Sequence, residues 1–169
     1  VSPQNVFMTY GGAVKVLDFG VAKATTQVVE TRTGAVKGKY AYMAPEQGRG
    51  SEVDRRADVW AAGVLLWESL MGKRLFKEKT EYATLKAVME LPIPPLEGFE
   101  EASLFQPVID RSLVRDVSLR YADAMEMRDA LLSILETQFA RAGRTEMAAF
   151  MKRIFGDVIE EHERTLGVA

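Results

Sequence analysis

The stretch VSPQNVFMTYGGAVKVLDFG, residues 1–20, decides how the rest of the chain is read. Two short apolar runs, residues 6–8 and 14–17, are separated by TYGGA. Adjacent glycines supply the positive φ angles that a tight turn between antiparallel strands demands, so a β-hairpin is expected here. Asn5 stands at its entrance and Asp18 at its exit, and the hairpin fixes one relative to the other.

Downstream, residues 18–50 are rich in Thr, Gly, Lys and Arg with no sustained period. That pattern predicts a long loop, and long loops inside compact domains usually carry function. DRRADVWAAGVLLWESLMG, residues 54–72, then starts at an Asp suited to N-capping, is apolar on nearly every side, and stops at Gly72. A helix of that kind belongs in the middle of a core. Further helices are expected around residues 78–90, 102–114 and 123–136, with LPIPPLEG at 91–98 breaking the chain by its prolines. Met147, Phe150, Met151, Ile154, Phe155, Val158 and Ile159 recur at the i, i+3, i+4 spacing of one helix face. The predicted fold is α+β but mainly α, a small hairpin on a helical body, with a helical extension after about residue 137.

Bulk properties narrow the function less. A chain of 169 residues fits one ordinary domain, which would bury roughly 70% of its unfolded surface. With 47% hydrophobic and 27% charged residues and a net charge of −2, nothing points to nucleic acid or an anionic membrane as partner. The absence of cysteine excludes disulfides and thiolate metal sites and accords with a cytoplasmic setting. The longest strongly apolar run, VWAAGVLLW at 59–67, is far short of the ~20 residues of a membrane-spanning helix.

The chemistry lies in motifs taken in order. Asn5 is followed by DFG at Asp18, Phe19 and Gly20, by APE at Ala44, Pro45 and Glu46, by DVW at Asp58, and by Arg120 in DVSLRY. This ordered set resembles the C-terminal lobe of eukaryotic-type protein kinases, the bacterial serine/threonine kinases especially, over roughly residues 1–136; residues 137–169 form the extension. The resemblance implies ATP and Mg²⁺ as cofactors and Ser or Thr of a protein as phosphate acceptor. Phosphoryl transfer asks the protein mainly for positioning and for cations that neutralise the triphosphate. By resemblance, Asp18 bridges metal to phosphates and Asn5 holds a second metal. Phe7 lies under the adenine, Leu17 and Gly20 belong to the same nucleotide site, and Phe19 packs toward the other lobe. Residues 18–46 correspond to the activation segment, in which Thr25, Thr26, Thr31 and Thr33 are all candidate phosphorylation sites. Glu46 and Arg120 correspond to a structural ion pair, and Asp58 to an aspartate that accepts hydrogen bonds from the catalytic-loop backbone. His162, the single histidine, reads as a surface residue.

Two positions depart from the family pattern. Ser2 stands where the catalytic loop usually has lysine, and GKYAYMAPE has Lys39 where the activation segment usually has threonine. One reading is an exchange: the Lys39 ammonium serves the phosphates from the opposite side, and the Ser2 hydroxyl replaces the threonine hydrogen bond, which makes both catalytic candidates. The other is that Lys39 points to solvent and the enzyme is weak. Asn5 occupies the last position of HRDxxxxN, so the aspartate base is expected immediately before Val1, and the glycine-rich loop with its lysine and glutamate in an N-terminal lobe that partners this chain. Alone, the chain is expected to be inactive, with apolar surface exposed at the cleft. The competing reading is a pseudokinase or docking module that binds proteins without catalysis.

Overall fold

The computed structural model describes residues 1–17, 40–139 and 143–167. Strands β1 (Val6–Met8) and β2 (Val14–Val16) form the expected antiparallel hairpin, pairing Val6 with Val16, Phe7 with Lys15 and Met8 with Val14. Gly12 takes the left-handed conformation (φ +76°), and its N–H donates to the Thr9 carbonyl at 2.9 Å. The Thr9 hydroxyl accepts from Ala13 N at 3.0 Å, so the turn is closed by side chain as well as backbone.

Part of the stretch read as loop is helical. A 3₁₀ turn spans Tyr40–Tyr42, and α1 (Pro45–Gly48) begins with a proline whose missing N–H has no intrahelical role there. These turns are too short to give a periodic signal.

Helix α2 (Arg56–Met71) is the axis of the body. Asp54 Oδ1 accepts from Arg56 N at 2.9 Å, and Gly72 (φ +62°) ends the helix by donating to the Glu68 carbonyl. Val59, Trp60, Ala61, Val64 and Trp67 are buried, and they point to several sides of α2. Helix α3 (Glu81–Glu90) is capped by Thr80, whose hydroxyl accepts from Ala83 N at 3.1 Å. Helix α4 (Ala102–Ser112) crosses α2 closely at Gly63, where a Cβ would stand 2.7 Å from the Ser112 Cβ. Helix α5 (Ala124–Gln138) is capped by Asp123, which accepts from the N–H groups of Met125 and Glu126. The proline-rich segment after α3 is held to the axis by the Trp67 indole, which donates to the Pro94 carbonyl at 2.9 Å.

Around α2 lie Phe76, Val88, Leu96, Ile109 and Leu113 on one side and Val108, Tyr121 and Met127 on another. A fully buried aliphatic side chain such as Ile109 contributes about 1.5–3 kcal/mol relative to exposure. Helix α6 (Arg144–Leu166) carries the predicted apolar stripe but does not stay in phase. Phe155 leaves helical geometry (φ −120°) just before Gly156, so the helix bends there. Of the stripe, Met151 is buried, whereas Phe150, Ile154, Phe155 and Val158 are exposed. No helix among the described residues is long and apolar enough to cross a membrane.

Candidate active site

Asn5 is positioned by the backbone on both sides. It ends a 3₁₀ turn, Pro3–Asn5, in which its N–H donates to the Ser2 carbonyl at 2.9 Å, and Pro3 pre-sets the turn. Its carbonyl accepts from Leu17 N at 2.7 Å, which closes the open end of the hairpin. The two ends of the stretch therefore meet at Asn5, and the residue that follows Leu17 is Asp18. Asp18, Phe19, Gly20, Lys39 and the candidate phosphorylation sites Thr25, Thr26, Thr31 and Thr33 lie outside the described residues.

Beside Asn5, Ser2 is buried at 8% exposure, with no capping bond from its side chain to the 3₁₀ turn. Phe7 and Leu17 are exposed at 49% and 47%, as are Val14 and Val16. The hairpin thus carries apolar side chains on its exposed surface. The Val1 amino group lies 3.7 Å from Asp58 Oδ1, an ion-pair distance longer than a hydrogen bond. His162 is exposed, as expected.

The Glu46–Arg120 pair forms as the sequence implies. The guanidinium donates from Nη1 to Glu46 Oε1 and from Nη2 to Oε2, both at 2.7 Å, with the two side chains at 5% exposure or less. Arg120 Nε donates to the Val114 carbonyl at 2.9 Å and Nη1 to the Arg56 carbonyl at 3.2 Å, so α1, α2 and the loop after α4 are tied at one cation. Its guanidinium also lies over the Trp60 ring, 5.1 Å from the centroid.

A second cluster was not foreseen. Tyr42, in YMAPE, donates its hydroxyl to Glu68 Oε2 at 2.6 Å, and Glu68 Oε1 accepts from Leu75 N at 3.0 Å. Arg74 joins through contacts to the Tyr42 hydroxyl and to Glu68. Burial pushes the Glu68 carboxyl above the ordinary glutamate range, partly opposed by the Leu75 N–H. The available signal was a lone carboxylate in VLLWESLM, on a helix otherwise apolar along that stretch. The cluster anchors the Tyr40–Tyr42 turn beside a cavity of about 340 Å³ lined by Tyr40, Ala41, Phe76, Lys77 and Thr80.

These features match known proteins as a set. The family model "Protein kinase domain" matches residues 1–149, which includes the first residues of α6. The chain is 43% identical over 159 residues to a protein named tyrosine-protein kinase MasK from Myxococcus xanthus, covering 93% of this chain and 25% of that protein. It is 37% identical over 137 residues to the serine/threonine-protein kinase PknB of Mycobacterium leprae, covering 79% of this chain and 22% of that one. PknB of Mycobacterium tuberculosis is 37% identical over 138 residues. The chain thus spans about a quarter of the length of these relatives. With the closed hairpin, the buried Glu46–Arg120 pair and a match over most of its length, the chain belongs to the protein kinase domain family.

Proposed function

We propose that this chain is part of a serine/threonine protein kinase that transfers the γ-phosphate of ATP to a protein hydroxyl. The observation that carries the reading is the Leu17 N–H to Asn5 carbonyl bond of 2.7 Å, because it brings the entrance and exit of the hairpin together. Asn5 offers an amide oxygen and Asp18 a carboxylate, hard donors of the kind Mg²⁺ prefers. Bound Mg²⁺ neutralises the phosphate charge; the chain's residues hold and orient the nucleotide. Phe7 and Leu17 supply apolar floor beneath the adenine, with Phe19 and Gly20 continuing the site. Lys39 supplies the phosphate-facing cation, and the Ser2 hydroxyl takes the hydrogen bond of the family's threonine.

Residues 1–136 are the C-terminal lobe and residues 137–169 a helical extension. The N-terminal lobe and the catalytic aspartate belong to the longer protein, so the chain by itself is inactive. The Ser/Thr preference draws on the PknB relatives, although MasK is named a tyrosine kinase. The cytoplasm, where MgATP is available, is the setting that fits. A docking module is the second reading, favoured by serine in place of lysine at Ser2.

Incubating the longer protein with γ-labelled ATP, Mg²⁺ and a protein acceptor, then hydrolysing the product, separates these readings. Label on phosphoserine or phosphothreonine supports the proposal, label on phosphotyrosine overturns its acceptor class, and no label favours the docking module.

A further inference from the structure

The β1–β2 hairpin has strands of three residues each, and an isolated two-stranded hairpin is marginal in water. Residues 6–17 include a single buried position, Gly12, at the tip. What covers it is α6. A Cβ on Gly12 would fall 2.1 Å from the Arg144 carbonyl oxygen and 2.7 Å from Ala148 N, so the turn and the first turns of α6 meet backbone to backbone. Arg144 Nε donates to the Gly11 carbonyl at 2.9 Å. At the far end of α6, His162 Nδ1 and the Tyr10 hydroxyl lie 3.3 Å apart, with ring centroids 6.1 Å apart. In a straight helix Arg144 and His162 would be separated by ~27 Å of axial rise. One three-residue tip touches both because α6 bends at Phe155.

We infer that α6 clamps the tip of the hairpin and thereby positions Asn5 at its base, with Gly12 and Arg144 as the positioning residues. Three cross-strand pairs and the Leu17–Asn5 bond join tip to base, so an orientation imposed at Gly12 is transmitted to Asn5. Gly12 is required twice over, by its positive φ and by the absence of a Cβ facing Arg144. The consequence for nucleotide binding rests on the kinase reading above; the mechanical coupling does not.

Two variants separate the causes. Gly12→Asn tolerates the left-handed backbone but restores the Cβ that meets Arg144. Arg144→Ala leaves the turn intact and removes the guanidinium that donates to Gly11, while Arg144→Lys keeps a cation there and is expected to recover part of the effect. Amide exchange on the 169-residue chain is read at Thr9, Gly12 and Leu17 and along α6, with Trp60 and Trp67 fluorescence reporting that the body remains folded. Both variants should speed hairpin exchange about fivefold or more, together with the first turns of α6. Faster exchange in α6 with an unchanged hairpin, or no change in either, overturns the clamp. In the longer protein, kcat/KM for MgATP should fall severalfold in Arg144→Ala and its Mg²⁺ dependence should shift to higher concentration; an unchanged kcat/KM and Mg²⁺ dependence would contradict positioning of Asn5. If the unmodified longer protein transfers no phosphate, the kinase reading fails, and the exchange experiment still decides the clamp.

Discussion

Replacing Arg120 by methionine removes the cation that joins three parts of the body. Glu46, at 4% exposure, would be left buried without its bidentate partner, and the carbonyls of Val114 and Arg56 would lose their donor. Removing one member of a buried, hydrogen-bonded pair costs about 3–5 kcal/mol, most of it the desolvation of the group left behind. For a chain of this size that corresponds to a fall in melting temperature of roughly 6–20 °C. Urea unfolding followed by Trp60 and Trp67 fluorescence measures it directly, because both indoles are buried beside the pair or along the same helix. Arg120→Lys should recover only part of the loss, since an ammonium cannot donate in parallel to both carboxylate oxygens. Glu46→Met combined with Arg120→Met should destabilise less than Arg120→Met alone, because no charge is then left stranded. A loss below about 1 kcal/mol in Arg120→Met would refute the reasoning, because it would place the pair in the range of exposed ion pairs.

Other expectations follow from particular contacts. Gly63→Ala forces a Cβ to 2.7 Å from Ser112 and 3.0 Å from Leu113, and overpacking between α2 and α4 should destabilise by about 1–3 kcal/mol in denaturant titration. Glu126 is held below the ordinary glutamate range, first by the Ala122 N–H and then by the Arg111 side chain. Its folded pKa is the lower one, so its stabilisation is present above the unfolded value and is lost as the pH falls through the folded value. Glu126→Gln should therefore flatten the acid limb of stability against pH. Glu68 has the opposite sign, its folded pKa raised by burial, so its contribution is lost as the pH rises through that value. In the longer protein Lys39→Met should produce a large drop in turnover, and a rate near that of the unmodified enzyme would exclude the exchange with Ser2.

The parts of the fold legible in the sequence were those with strong local chemistry. Of the two glycines expected to set the hairpin turn only Gly12 takes a positive φ, and Gly72 stopped α2 as its place in the sequence implied. The start of α3 was read three residues early, because Glu78 is as good a helix former as Glu81 and only the Thr80 cap decides between them. Glu46 and Arg120, 74 positions apart, could be paired only through the ordered motifs, since local patterning carries no signal at that range. The Tyr42–Glu68 contact stayed hidden for the same reason. The stripe on α6 read as one face because periodicity presumes a straight helix, and the bend at Phe155 is a backbone property without a periodic trace.

The central claim is that Asn5 and Asp18 hold the metal that brings the γ-phosphate into reaction. Its most direct test is phosphate transfer from γ-labelled ATP by the longer protein carrying Asp18→Ala, with Mg²⁺ varied and folding checked by thermal melting. The account predicts a folded protein whose transfer falls to the no-enzyme level at every Mg²⁺ concentration. A folded Asp18→Ala protein that still transfers phosphate at the unmodified rate would contradict it.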